Sequence, residues 1–291
     1  MIYGIRRVLK YALGRDIAGR TLAVRPDDTF IVSYPRSGNT WTRFLIANLL
    51  FAGQPISFAN IERLIPDAEA QSSRYMKRVP GPRVIKSHQY FDHRYPKVLY
   101  ITRDPRDVAI SYYNFSRKYR HIVDDYPLEK YVHGFVTGTL LSSGWGTWAE
   151  NVGTWMAARS GRPTFLLLRY EDLIANTQTE LDKAARFLGL DASPGELSRA
   201  IENSSADHLR ELEKKEGDVW VTTKNKRSDI PFIGSAAAGK WKSVLPAAAV
   251  EEIESTWGNT MAQLRYELVT RKAESMETQL AATAVLREQG Q

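Results

Sequence analysis

Residues 30–41, FIVSYPRSGNTW, combine residue types suited to binding an anion at the start of a helix. An apolar run ends in a short turn of small and polar residues, and an apolar-periodic segment follows from Trp41. This is the strand–loop–helix layout of a P-loop, in which a lysine normally precedes Ser or Thr. Here Gly-Asn-Thr occupies positions 38–40, and the cation is Arg36. Backbone N–H groups at a helix N-terminus beside a fixed guanidinium predict a site for a compact anion.

A second segment with a cation, TRDPRDVAISYYNF, follows another apolar run. Arg103 comes just before Asp104, the expected N-cap of a helix that begins at Pro105, and Ser111 lies further along that helix. An arginine and a hydroxyl at such a junction are suited to a second phosphate. The residues alone equally allow a structural pairing of Arg103 with Asp104 or Asp107. A strand that ends in arginine also lacks the aspartate of a Mg²⁺-dependent nucleotide site, so no metal is expected.

The segment VIKSHQ places a cation and an imidazole two residues apart at the end of a predicted strand. Lys86 and His88 should therefore point to the same face of the sheet. A histidine near its ordinary pKa is suited to general base catalysis, and a nearby cation favours its neutral form. We therefore expect activity to rise with pH near the ordinary His pKa. Taken alone, a single histidine is more often a structural or surface residue.

Short, nearly continuous apolar runs predict four strands buried on both faces, at residues 29–34, 84–87, 97–102 and 164–168. Helical patterns at 40–51, from Pro105, around Trp148 and from Thr177 separate most of them. The last helix is expected to start with a capping box of Thr177 and Glu180 and to stop at Gly189. Alternating strands and helices predict an α/β fold with a mainly parallel sheet.

Composition favours a globular protein with an anionic ligand. The chain of 291 residues is 43% hydrophobic, and its net charge of +7 is spread along the sequence, which disfavours a nucleic-acid partner. There is no cysteine, and no apolar stretch is long enough to cross a membrane. We expect an N-terminal amphipathic helix within residues 1–20 and a polar tail at 271–291. Loops are expected at residues 52–83, 116–146 and 214–240.

Together these segments resemble the cytosolic-type sulfotransferases that use PAPS (3′-phosphoadenylyl sulfate). The similarity is carried, in the family's order between about residues 29 and 251, by YPRSGNTW, KSH, TRDPRDVAISYYNF, RYEDL and GKWKSVL, with GTWAENVGTW as a further match. The resemblance implies one domain over residues 1–291 with a P-loop-like three-layer fold, a central mainly parallel sheet flanked by helices. It also implies metal-independent, in-line transfer of the sulfuryl group from PAPS to a hydroxyl or amine of a small molecule, leaving PAP (adenosine 3′,5′-bisphosphate).

The resemblance implies catalytic roles for three residues. Arg36 stands where the family has a lysine that meets the bridging oxygen and the 5′-phosphosulfate. His88 would be the general base, and Lys86 a cation that stabilises the transition state.

Binding residues are implied in the same way. Besides Arg36, the implied cofactor contacts are Ser37, Gly38, Asn39, Thr40, Trp41, Arg103, Ser111, Tyr170, Ser205, Gly234, Ser235, Gly239 and Lys240. Among these, residues 37–40 would cradle the 5′-phosphate, Arg103 and Ser111 would hold the 3′-phosphate, and Trp41 and Tyr170 would meet the adenine. The implied acceptor contacts are Phe115, Tyr90 and Trp145.

The sequence departs from the family at two places. The family's Arg-Lys-Gly triplet before GDWK is replaced by residues 234–236, Gly-Ser-Ala, so nearby cations such as Arg227, Lys240 and Lys242 are the candidates to replace it. The family's aromatic adenine wall falls on Ala206. The dimerisation stretch is poorly matched, which leaves a homodimer open.

Two other functions remain open from the residues. A degenerate P-loop NTPase or kinase would require Mg²⁺ and ATP. A module that binds nucleotide or another anion without turnover is the second alternative, although the presence of both Lys86 and His88 argues against it. The acceptor is also open, because the loops carry aromatic residues beside polar ones such as His121, Asp124 and Asp125. A cytoplasmic location without stable membrane insertion is expected.

Overall fold

One parallel sheet forms the centre of the molecule. The computed structural model describes residues 16–140, 144–234 and 236–270, and four strands lie within them. They are β1 (Thr29–Ser33), β2 (Val84–Ser87), β3 (Lys97–Thr102) and β4 (Phe165–Arg169). All pairings are parallel and the order is β2-β1-β3-β4, so β1 is an inner strand, and all five of its residues are buried. The predicted sheet is confirmed, with β1 ending one residue early and β4 shifted by one residue.

Helices connect and cover the strands. Within the described residues they are α1 (Asn39–Leu50), α2 (Ile61–Leu64), α3 (Ser73–Arg78), α4 (Pro105–Lys118), α5 (Leu128–Val136), α6 (Trp148–Arg159), α7 (Tyr170–Ala175), α8 (Thr177–Leu188), α9 (Pro194–Glu202), α10 (Ala206–Glu216), α11 (Trp241–Val244) and α12 (Ala247–Gln263). The predicted start of α4 is confirmed, since Asp104 is its N-cap and the carboxylate accepts from the Arg106 N–H.

Alternate residues of the strands face two separate hydrophobic layers. Phe30 and Val32 of β1 pack with helices α4, α5, α6 and α12, whereas Ile31 packs with α1, α7, α8 and α10. The neighbouring strand β3 repeats the pattern, with Val98 in the first layer and Leu99 in the second. Because side chains alternate along a strand, both faces of the sheet are covered. The fold is therefore a three-layer α/β arrangement.

The structure corrects several local predictions. Residues 52–83, predicted as a loop, contain the short helices α2 and α3. Residues 116–146, predicted as a loop, include α5, which buries Tyr131 and Phe135 against the first layer. The capping box of Thr177 and Glu180 is wrong. Helix α8 follows α7 after a single residue, Asn176, and the Thr177 hydroxyl donates to the Leu173 carbonyl at the end of α7 instead. The predicted stop of α8 at Gly189 is confirmed by its left-handed backbone.

The two predicted end segments are mostly outside the described residues. Of residues 1–20, where a helix was expected, only 16–20 are described, and a 3-10 turn begins there at Gly19 (Gly19–Thr21). The predicted tail at 271–291 lies outside the described residues. Within the described ranges, no helix has the length and apolar character needed to cross a membrane.

Parallel pairing places the candidate site residues at one edge of the sheet. The carboxyl ends of β1, β2 and β3 lie side by side, and each is followed by one of the three segments with possible chemistry. Ligands of open α/β sheets bind at this edge, in the crevice beyond the strand ends.

Candidate active site

The loop between β1 and α1 lines a cavity. Arg36 and Gly38 both have positive φ, 70° and 96°. A Cβ on Gly38 would lie 2.4 Å from Cδ2 of Tyr170, so this close approach requires glycine. The N–H groups of the first helical turn have no acceptor within α1. The buried Ser37 hydroxyl also lacks a hydrogen-bond partner among the described residues. The loop thus has the donors of an anion site.

Arg36 extends from this loop to helix α4 and to the segment that precedes α11. Its Nε donates to the Ser111 hydroxyl at 3.1 Å, and its Nη2 donates to the Phe232 carbonyl at 3.1 Å. The guanidinium lies over the rings of Phe115 and Phe232, 5.1 and 4.6 Å from their centroids. Burial lowers the pKa of Arg36 to about 10, which leaves it charged at neutral pH. A fixed positive charge therefore stands between the loop and Ser111.

Arg103 joins the loop to the segment that precedes α11. It donates to the Arg36 carbonyl at 3.3 Å and to the Ala237 carbonyl at 3.1 Å, and its guanidinium lies 4.3 Å from the centroid of the Tyr170 ring. Its buried Nε has no hydrogen-bond partner within the described ranges. Pairing with Asp104 is wrong, because that carboxylate binds Arg106 at 2.6 Å.

The alternative partner of Arg103, Asp107, is mainly used elsewhere. The Arg103–Asp107 ion pair is 3.8 Å long. The Asp107 carboxylate accepts from the backbone N–H groups of Gly239 at 2.7 Å and Trp241 at 3.0 Å. These bonds tie the segment to α4 and place Lys240 on the cavity wall. Arg103 therefore keeps a partly uncommitted guanidinium.

His88 is held in one tautomer. Its Nδ1 lies 2.8 Å from the Ser33 carbonyl oxygen, which can only accept, so Nδ1 carries the proton and Nε2 keeps a free lone pair. Burial, reinforced by the charge of Lys86, lowers the pKa of His88 to about 3. The imidazole is therefore neutral at physiological pH. This revises the expected pH profile. With His88 as the base, kcat/KM should fall only well below the ordinary His pKa.

The depressed pKa of His88 also predicts reduced stability in mild acid. The folded-state pKa, about 3, lies below the ordinary 6.5, so the unfolded chain takes up a proton that the folded protein does not. This contribution is complete above the unfolded-state pKa and is lost as the pH falls. Between about pH 7.5 and about pH 5.5, the wild type should lose ~1.4 kcal/mol more unfolding free energy than His88→Gln. Urea unfolding at both pH values measures this, and equal losses would contradict it.

Lys86 lies on the same cavity wall as His88, as its spacing predicted. Its Nζ is 2.7 Å from Oδ2 of Asp67 and 3.5 Å from Oε2 of Glu69. Both carboxylates line the cavity. They come from the stretch predicted as an irregular loop at 52–83, which has no period that would have marked them. Sequence reasoning therefore missed both.

Most residues implied by the family resemblance surround one cavity of about 880 Å³. Those on its wall are Arg36, Gly38, Asn39, Thr40, Trp41, Lys86, His88, Arg103, Ser111, Phe115, Trp145, Tyr170, Gly234 and Lys240. Ser37, Tyr90, Ser205 and Gly239 do not line it. The Ser205 hydroxyl caps α10 by accepting from the His208 N–H at 3.3 Å. Ser235 is outside the described residues.

Two aromatic residues form the wall next to the loop. Trp41 and Tyr170 meet edge to face, with ring centroids 5.9 Å apart, and the indole N–H of Trp41 donates to the Ser204 carbonyl at 3.0 Å. Asn39 turns its amide to the Ile31 carbonyl at 3.2 Å, so this side chain supports the end of β1. The fixed rings of Trp41 and Tyr170 could pack against a planar base.

The wall also carries cations that the sequence did not identify, Arg43, Lys118 and Arg210. Arg210, on α10, lines the cavity and donates from Nε to the Gly234 carbonyl at 3.4 Å. It also pairs with Asp207 one turn earlier. A single arginine within an ordinary amphipathic helix gives no local signal of a ligand, so only the tertiary structure identifies it.

A parallel sheet with an anion-binding loop at its carboxyl edge and a neutral histidine nearby defines a P-loop-like group-transfer fold. Comparison with known proteins specifies it further. The family model described as "Sulfotransferase domain" matches residues 26–265. The chain is 30% identical to the 3-beta-hydroxysteroid sulfotransferase of Cavia porcellus over 253 residues, covering 82% of this chain and 85% of that protein. It is 28% identical to Sulfotransferase 2A1 of Homo sapiens over 255 residues, covering 84% and 88%. The chain belongs to the sulfotransferase family.

Solved structures share the same fold. Retinol dehydratase in complex with androsterone and the inactive cofactor PAP aligns with a TM-score of 0.65 at 21% identity, covering 84% of this chain and 83% of that one. Mouse sulfotransferase SULT7A1 complexed with PAP aligns with a TM-score of 0.66 at 21% identity, covering 81% and 86%. The sequence-based assignment of family and fold is confirmed.

Proposed function

We propose that this sulfotransferase moves the sulfuryl group of PAPS to a hydroxyl or amine of a small molecule, with His88 as general base. The observation that carries the proposal is the meeting of a P-loop-like turn, two half-buried arginines and a neutral histidine on one cavity wall. A volume of about 880 Å³ is within the range of small-molecule sites. PAP in two structures of the same fold supports the choice of nucleotide.

The residues of the cavity fit a bisphosphorylated nucleotide. The loop N–H groups would bind the 5′-phosphate, whereas the orphaned Ser37 hydroxyl is buried and does not line the cavity. Arg103, whose Nε also lacks a partner among the described residues, would bind the 3′-phosphate with Ser111 and Lys240. A buried polar group without a partner is costly, and a bound anion would supply the acceptor that the Arg103 Nε lacks. Arg210, which donates to the Gly234 carbonyl at 3.4 Å, adds a further positive charge to the cavity wall.

When bound, PAPS supplies an activated sulfuryl group. The chain's part is to remove a proton and to stabilise charge. The free Nε2 of His88 accepts the proton of the acceptor's hydroxyl or amine. Lys86 and Arg36 stabilise the negative charge that builds up on the leaving oxygen. Fixed cations can do this without Mg²⁺, and we propose that the reaction needs no metal.

The acceptor end of the cavity mixes apolar and polar walls. Phe115 stacks on Tyr119 with centroids 4.0 Å apart, and the ring of Trp145 meets His88 edge to face. Asp67 and Asp229 add carboxylates to the same cavity. We propose a small-molecule acceptor that carries both an apolar surface and polar groups. We also propose that residues 1–291 form one domain, which the match over 26–265 supports.

The direct test is incubation with PAPS and a panel of alcohols, phenols, amines and sugars in EDTA, analysed by mass spectrometry. The expected result is PAP together with at least one product that has gained a sulfuryl group. ATP with Mg²⁺ serves as the control donor, since a degenerate NTPase or kinase would consume it. ATP turnover without any sulfated product would refute the proposal. PAPS binding without turnover on any acceptor class would favour the non-catalytic alternative.

A further inference from the structure

The carboxylates of Asp67 and Glu69 hold the segment that carries Lys86 and His88. This inference rests on the proposed sulfuryl transfer. We propose that Glu69 and Asp67 are positioning residues for that reaction, Glu69 by fixing the backbone turn that aims His88 and Asp67 by holding and balancing the ammonium of Lys86. The two residues would act through hydrogen bonds and charge, without touching the reacting atoms.

Glu69 binds three consecutive residues at the point where β2 ends. Its Oε1 accepts from the Ser87 hydroxyl at 2.9 Å, from the His88 backbone N–H at 3.0 Å and from Nε2 of Gln89 at 3.3 Å. The side chain of Glu69 is 13% exposed. Without it, the His88 N–H would be left in a poorly solvated site with no acceptor. The imidazole would then lose the backbone geometry that directs Nδ1 to the Ser33 carbonyl.

Backbone hydrogen bonds hold Asp67 next to Lys86. The Lys86 N–H donates to the Pro66 carbonyl at 2.9 Å, and the Ala68 N–H donates to the Lys86 carbonyl at 3.0 Å. Residues 66–68 thus pair with β2 on the side opposite β1. The side chains of Asp67 and Lys86 are only 8% and 11% exposed. An ion pair this buried fixes both partners, because neither can return to water cheaply.

The charges around His88 explain why Asp67 bears on catalysis. Lys86 and Arg36 lower the pKa of His88, and Asp67 raises it, while Glu69 contacts its backbone N–H. Lys86 without Asp67, the nearer of its two carboxylates, would make Nε2 of His88 a weaker base. The two positions therefore have different requirements. Position 69 needs a hydrogen-bond acceptor, which an amide oxygen can supply. Position 67 needs a negative charge, which an amide cannot supply.

The test compares amide and alanine variants at the two positions. We expect Glu69→Ala to lower kcat about 10- to 100-fold, as for a misplaced catalytic group, and Glu69→Gln to recover most of the loss. Asp67→Asn should lower kcat without recovery. The dissociation constant for PAP should stay within about twofold of wild type in all three, since none lies in the phosphate-binding loop.

A matched control and a spectroscopic readout separate positioning from general stability. Asp28 is even more deeply buried and binds Arg83 at the other end of β2, so Asp28→Asn should lower stability while keeping kcat. The ¹⁵N shifts of the His88 ring should report the Nδ1–H tautomer in wild type and Glu69→Gln, and a mixture in Glu69→Ala.

Several results would overturn the inference. They are a kcat for Glu69→Ala within about threefold of wild type, an equal kcat loss in Asp28→Asn, or failure of Glu69→Gln to recover activity. If Glu69→Ala does not fold, the contrast between Glu69→Gln and Asp67→Asn decides alone, and equal kcat values for these two contradict the assignment. If the wild type itself does not bind PAP or does not transfer a sulfuryl group, the proposed function is refuted instead.

Discussion

Replacing His88 with asparagine is expected to remove most sulfuryl transfer while leaving PAP binding nearly unchanged. The neutral imidazole, with Nδ1 held by the Ser33 carbonyl, presents Nε2 as a proton acceptor on the cavity wall. A positioned general base contributes about 10²- to 10⁴-fold to the rate. Asparagine can keep a hydrogen bond to Ser33, but its amide is not a base. Steady-state kcat and calorimetric PAP binding measure the two effects separately.

The control for His88→Asn is His133→Asn. His133 is an exposed residue on α5 that pairs with Glu252, away from the cavity, so its replacement should leave kcat unchanged. If His88→Asn keeps more than about a tenth of wild-type turnover, well short of the loss expected for a base, His88 only orients the strand end. Another group beside the acceptor must then take the proton.

Arg103→Ala should weaken PAP binding about 10- to 150-fold, because a charge-assisted hydrogen bond contributes about 1.5–3 kcal/mol. Adenosine 5′-phosphate lacks the 3′-phosphate, so its binding should change little. The guanidinium is suited to this role because its Nε has no partner among the described residues and its ion pair with Asp107 is long, at 3.8 Å. Calorimetry with both nucleotides provides the comparison.

Arg103 also donates to the carbonyls of Arg36 and Ala237, so a structural contribution must be separated from phosphate binding. Arg103→Lys keeps the charge but loses the planar fork, and an intermediate loss for PAP is expected. Equal losses for PAP and adenosine 5′-phosphate in Arg103→Ala would show that Arg103 mainly supports the loop.

The sheet was predictable because its strands have a clear sequence signature. Four short apolar runs with breakers between them located β1 to β4 to within one residue. Strands buried on both faces are nearly continuous hydrophobic runs, so the sequence marks them directly. The P-loop-like turn was equally readable. Small residues at 37–40 followed by a helical period identify a strand–loop–helix junction from local chemistry alone.

What the sequence could not predict depends on tertiary contacts. Thr177 and Glu180 had capping-box spacing, but Thr177 is the first residue of α8 and Asn176 its N-cap, and the Thr177 hydroxyl donates to the Leu173 carbonyl of α7. Asp67 and Glu69 lie in an irregular stretch, and their partners are 17 to 20 residues away. The low pKa of His88 follows from its burial beside Lys86, which the strand-end pattern did not show.

The most direct test of the account is calorimetric titration of the purified protein with PAP in EDTA, compared with ATP in excess Mg²⁺. A metal-free nucleotide site predicts saturable 1:1 binding of PAP in EDTA, with weaker or undetectable binding of ATP. It also predicts stabilisation against unfolding by about 2.7 kcal/mol when free PAP is 100 times its dissociation constant. ATP binding that requires Mg²⁺, with no response to PAP, would contradict the assignment of the cavity to PAPS.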